Sequence, residues 1–355
     1  MESKTAWPSV ANAAASCDAR GVRAGSLQPW SVDQLRLDVA VTPVREVYSW
    51  AGAREFEERE LSEIVGGGPI STGEFAAFLS GIFGSRDVEI LYGGEIEEAG
   101  RQLMKFAYRV ARDQSRYRIR AGSGWVITGY EGEIVADPVA ADLVRLTVRT
   151  GELPSSTGTC ETRTQMEYQR LVIGEMDLLL PATTRQRFVM RNGAEGENTA
   201  TFSSCREYRG ESTLRFLEER ETETASVSAV PKRAGGLPGN LPVRLDLAAP
   251  LDTWTASGGE MIVLRLAKPI VGAAKQVLVP AGAAIQARVM RVQRFFTKPE
   301  RVTVVVAPET IERAGAQLPF AVRPARFAEL HFVGDHVVLP KGYHTIWRTA
   351  AIANP

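Results

Sequence analysis

The chain has 355 residues, with 42 basic side chains balanced by 42 acidic ones. That balance excludes a chain-wide positive field of the kind that draws in nucleic acid or anionic membrane. The length suffices for two hydrophobic cores, and no apolar run of about 18 residues is present to cross a membrane as a helix.

Residues 1–34 are rich in Ala, Ser, Gly and Pro without apolar period and read as an irregular N-terminal segment. With Glu2, one Lys and Pro8, no signal peptide with a strong apolar centre is visible there. Leu35, Leu37, Val39 and Val41 alternate with polar or small residues, which predicts a strand, and Val44–Trp50 after Pro43 is its hairpin partner. Gly66-Gly67-Gly68-Pro69 breaks the chain. Ser71-Thr72-Gly73-Glu74 is a capping box that opens a helix over 73–83. Its Phe75, Phe78, Leu79, Ile82 and Phe83 form one apolar face, suited to plugging a sheet.

Strands follow at Val88–Tyr92 and Leu103–Val110, and then through Arg116–Thr150, where Tyr117 and Ile119 alternate with three arginines. Trp125 and Ile127 continue after a glycine turn, and Asp137-Pro138 separates the last two strands of this meander. Cys160–Val172 alternates cleanly, and Met176–Leu180 ends at Pro181. Arg185–Arg191 and Asn198–Tyr208 form a hairpin about Asn192-Gly193, with Ser212–Phe216 closing the sheet. The arginines at outward strand positions, interleaved with Glu, read as a solvated face. Residues 218–240 read as a linker. Beyond it, in 241–355, Pro242–Leu247, Met261–Leu266, Val277–Val279, Ala284–Val292 and Val302–Ala307 are short strands with Pro/Gly turns. Phe327–Phe332 and Val337–Leu339 add a final hairpin. The fold expected is mainly β: a strongly bent antiparallel sheet (half-barrel) over 35–217 with a lid helix, plus a small C-terminal β-barrel or sandwich.

The chemistry-bearing residues are sparse. Three cysteines allow one bridge; Cys160 with Cys205, each near a strand end, is one pairing, Cys17 with Cys205 is another, and three reduced thiols are a third state. No C-x-x-C suggests zinc or redox chemistry. His331, His336 and His344 are the only histidines, and His331, Asp335 and His336 flank one turn, a spacing that a metal would use only if the side chains converge. No G-x-S-x-G elbow, P-loop or dinucleotide fingerprint occurs. No catalytic residue, metal ligand or cofactor is therefore assigned, and a non-enzymatic role is expected, with a hydrolase or metal-dependent enzyme at the histidines as an alternative. The concave face of the half-barrel would carry Phe106, Tyr108, Tyr117, Trp125, Met166, Tyr168 and Phe188. They would either hold an apolar ligand or form the core beneath the helix.

Val47-Tyr48-Ser49-Trp50-Ala51-Gly52, the helix at Gly73–Phe83, Tyr117-Arg118-Ile119 and Leu178-Leu179-Leu180-Pro181 carry a resemblance, with Ser204-Cys205-Arg206-Glu207-Tyr208 and Gly210-Glu211-Ser212 completing it. The chain resembles a group of bacterial secreted proteins that are themselves similar to the periplasmic lipoprotein-localisation carriers. That resemblance implies a half-barrel lidded by helices, a lipid or lipoprotein partner, a periplasmic or envelope location, and a cysteine-bearing first strand to which Cys17 would correspond. Leu245–Asp252, Gly258-Gly259-Glu260 and Val279-Pro280-Ala281-Gly282 are similar to a small β-domain of bacterial envelope proteins. It implies the alternative of an envelope scaffold that pairs with other proteins through edge strands.

Overall fold

The computed structural model describes residues 2–6, 17, 29–42, 46–53, 56, 61, 64, 75, 77–84, 87–121, 124–207, 237, 239–272, 275–313, 316–320, 322–323 and 329–350. Its strands begin with β1 (Glu2–Ala6) and β2 (Ser31–Gln34), followed by the hairpin β3 (Leu37–Val41) and β4 (Glu46–Trp50). Helix α1 (Ala77–Phe83) comes next. β5 (Glu89–Glu98), β6 (Arg101–Val110), β7 (Arg118–Ala121), β8 (Gly124–Ile127), β9 (Tyr130–Asp137) and β10 (Asp142–Thr150) then run as a meander. β11 (Thr159–Ile173), β12 (Met176–Met190) and β13 (Glu195–Thr201) complete the first half of the chain.

The second half contains β14 (Pro242–Leu247), β15 (Leu251–Asp252), β16 (Met261–Leu266), β17 (Ile270–Val271), β18 (Val277–Val279) and β19 (Ala284–Phe295). β20 (Arg301–Arg313), β21 (Ala316–Pro319), β22 (Val322–Arg323), β23 (Glu329–Val333), β24 (Val338–Leu339) and β25 (His344–Thr349) follow. The fold is mainly β, with a strongly curled half-barrel sheet and a helix, as the alternation predicted.

One antiparallel ladder runs β5–β6–β9–β10–β11–β12–β13 and then continues through β1 and β2 to β19. β19 pairs along its whole length with β20, while β16 and β2 share its opposite edge. β1 and β2 are thus the seam through which 17 strands form a single sheet. This corrects the reading of residues 1–34 as irregular at Glu2–Ala6 and Ser31–Gln34. Neither segment has an apolar period, and each is held extended by partners on both sides rather than by its own propensity.

Two further expectations are corrected. Pro181 does not end a strand: β12 runs through it, and the register shifts between Glu167↔Thr183 and Tyr168↔Pro181. The extra residue of this bulge absorbs the position where proline cannot donate to the ladder. The final hairpin also does not form, because β23 pairs with β20 and β24 pairs with β15, while β25 pairs with β14. The capping box, Ser212–Phe216 and most of the linker lie outside the described residues.

The strands wrap separate cores. In the second half, Leu245, Leu264, Ile285, Val289, Val302, Val304 and Trp347 belong to one large aliphatic cluster. In the first half, Phe78 and Ile82 of α1 pack on Tyr108, Tyr130, Leu146 and Met166. Between them, Leu35, Trp50, Leu61 and Ile64 form a small third cluster. Buried Arg288 fastens this third cluster to the second half, donating to the Ala51 and Gly259 carbonyls at 2.8 and 2.9 Å and pairing with Glu309 at 2.7 Å. The β3–β4 hairpin is thus tied to strands far along the chain, and Gly259, at φ +97, lies where a Cβ would strike the Arg36 carbonyl.

Candidate functional site

Alternation along β6, β9, β10 and β11 puts Phe106, Ile134, Leu146 and Met166 on one face, where the registers line them up across four strands, with Tyr108 on the same face opposite Gly132. α1 lies on this face because Gly81 leaves room: a Cβ there would collide with the Tyr130 hydroxyl. The Phe78 ring meets Tyr117 and Tyr130 edge to face, at centroid distances of 5.1 and 5.6 Å. The Tyr108 hydroxyl donates to the Thr147 carbonyl at 2.7 Å, and burial pushes its pKa up. The Tyr108 hydroxyl is thereby held as a donor within the sheet.

Phe106, Tyr108, Tyr117, Met166 and Tyr168, named from sequence, therefore do come together, and α1 packs directly against them. Trp125 does not join them. It stands 57 % exposed on the separate β7–β8 hairpin, with the Arg118 guanidinium 5.7 Å from its ring. Phe188 is buried elsewhere on the sheet, opposite Thr162 and Gly196. There the surroundings turn polar, with Thr164, Gln186 and Asn198 buried and Gln186 donating to Thr164 at 3.2 Å. Sequence reasoning missed this change of character; the threonines alternating with Met166 were its signal.

The disulfide joins Cys17 to Cys160, with Cα atoms 5.5 Å apart, and Cys205 is the free thiol. This corrects the Cys160–Cys205 pairing. Cys160 occupies the extra position of a bulge between Thr159 and Glu161, where its carbonyl accepts from the Leu153 amide at 2.9 Å, while Cys205 lies past the end of β13.

The histidines do not converge. His331 Nδ1 is 3.1 Å from Thr303 Oγ1, whereas His336 Nε2 is 2.9 Å from Asp252 Oδ1, across the β15–β24 pair. Asp252 also accepts from the Trp254 amide, the main reason its carboxyl titrates below the usual range. Among the described residues no group of three or more His, Cys, Asp or Glu side chains is placed to hold a metal ion.

The outward face of the half-barrel is a lattice of cross-strand ion pairs. Arg145 grips Glu98 with both guanidinium nitrogens at 2.6 and 3.0 Å, the chief reason the Glu98 pKa falls, and Arg185 holds Glu197 at 2.8 Å. The β5 edge departs from this pattern. Among the described residues β5 pairs only with β6, and Leu91 and Tyr92 are 57 % and 60 % exposed on opposite faces. A bulge at Gly93-Gly94 then divides this apolar half from an acidic half carrying Glu95, Glu97 and Glu98. Among the described residues no helix is long and apolar enough to cross a membrane. Comparison with protein-family models, with curated proteins and with solved structures finds no match for this chain.

Proposed function

We propose that the chain is a non-enzymatic interaction module of the cell envelope, which receives an extended segment of a partner protein on the edge of β5. The observation that supports it is the β5 edge itself, which among the described residues has no ladder partner beyond β6 and carries the exposed Ile90, Leu91 and Tyr92. Charge favours a particular partner. β5 contains four glutamates and no basic residue, so a second β5 laid beside it would oppose like charges. A strand alternating apolar and basic residues would instead add both apolar contact and attraction. A ligand in the concave face is less favoured, since the aromatic side chains there already fill one another's contacts beneath α1.

A synthetic peptide of alternating Val and Lys tests this by isothermal titration against the full chain. Saturable binding is expected, and the double substitution Leu91→Lys/Tyr92→Lys should weaken it by about tenfold or more. No binding by the parent chain, or equal binding by the double variant, would remove the proposal's support.

A further inference from the structure

A second surface feature lies on the other side of the seam. Along β19 and β20, Val292, Val302 and Val304 point into the aliphatic core, so the residues between them face outward. Register brings these outward residues into a small lattice: Gln293 opposite Thr303, Thr303 opposite His331, and Phe295 opposite Arg301. Arg291 and Glu329 extend it by one more position on β19 and β23, and the whole lines a cleft of about 250 Å³.

Most side chains in this cleft touch a neighbour. The Arg301 guanidinium lies over the Phe295 ring at 5.7 Å, and that ring packs on Trp30 at 5.8 Å. Among the described residues no carboxylate pairs with Arg301. At the opposite end Arg291 Nε is 3.9 Å from Asp33 Oδ2. Between them, Thr303 Oγ1 lies 3.1 Å from His331 Nδ1, and His331 Nε2 lies 3.5 Å from Glu329 Oε2.

The mixture of groups selects the ligand. Glu329 repels a doubly charged anion but accepts hydroxyl protons, so the dianionic form of free phosphate fits poorly. A neutral sugar would leave the preorganised Arg301 fork unused. A hydroxylated monoanion satisfies both. We propose that this cleft binds an acidic sugar, with its carboxylate on Arg301 and its hydroxyls on Thr303, Gln293 and Glu329. The volume suits one pyranose ring, and the openness of three strand faces suits modest affinity.

Titration of the full ¹⁵N-labelled chain with glucuronate, glucose and inorganic phosphate at pH 7 tests it. Glucuronate should saturate with a Kd of about 1 mM, and glucose should bind at least about tenfold more weakly. Arg301→Ala and Thr303→Val should each reduce glucuronate affinity by about tenfold, whereas Leu91→Lys/Tyr92→Lys should not change it. Should Thr303→Val fail to fold, Arg301→Ala decides, because that side chain is at the surface. The proposal is overturned if glucuronate does not saturate, if glucose or phosphate binds as tightly, or if Arg301→Ala leaves the affinity unchanged.

Discussion

The two halves of the molecule solve the same problem differently. In the second half the strands curve round one another until Val, Leu and Ile from several of them meet in a single aliphatic cluster. In the first half the sheet curls but stays open, and a seven-residue helix with two buried side chains covers the inner face. The open solution needs large residues, so its core mixes Phe, Tyr and Met with aliphatic side chains, and the Tyr108 hydroxyl is led to the Thr147 carbonyl and that of Tyr117 to the Thr162 hydroxyl. Stability is spread over many small contacts in one half and concentrated on a few large rings in the other.

The sharpest way to break this comparison is at Phe78. Phe78→Ala should cost about 3–5 kcal/mol, since it empties the space between α1 and three tyrosines. Leu245→Ala, at the centre of the aliphatic cluster, should cost about 2–5 kcal/mol. The clusters share no residue, so calorimetry is expected to show each substitution lowering a different transition; one common shift would mean that the seam fuses the halves energetically. Cys17→Ser opens a loop closed over 143 residues and should cost about 2–5 kcal/mol on chemical denaturation, all of it in the first half.

Asp33 sharpens the comparison at the seam. Burial raises its carboxyl from 3.8 to about 6 despite the nearby Arg291. The folded state therefore binds more protons than the unfolded state between about pH 4 and 6, and stability falls as pH rises through that window. Asp33→Asn should remove this slope, worth roughly 3 kcal/mol at most, and urea titrations at pH 4.5 and 7 would show it. Trp125→Ala should have the smallest effect, below about 1 kcal/mol, because its ring is largely in solvent.

Much of the sheet was legible because one-sided burial writes a period of two into the chain, as at Cys160–Val172. That period distinguishes two faces without saying which is covered. Trp125 and Ile127 alternate as a core pair would, yet β7 and β8 pair only with each other among the described residues and stand off the main sheet. β1 and β2 were illegible for the opposite reason, since their conformation comes from partners roughly 190 and roughly 260 positions away. The cleft residues were each visible, but only the register of β19, β20 and β23 makes Gln293, Thr303 and His331 neighbours.

The seam also sets an order of assembly. β1 and β2 precede both of their long-range partners, and β2 cannot complete its pairing until Phe295 has been made. On the ribosome the half-barrel strands from β5 to β13 can pair with their sequence neighbours as they emerge, while two polar strands wait with open edges. Oxidation of Cys17 with Cys160 becomes available earlier than that final pairing. It would park the waiting segment beside β11, turning a search through a long chain into a local one.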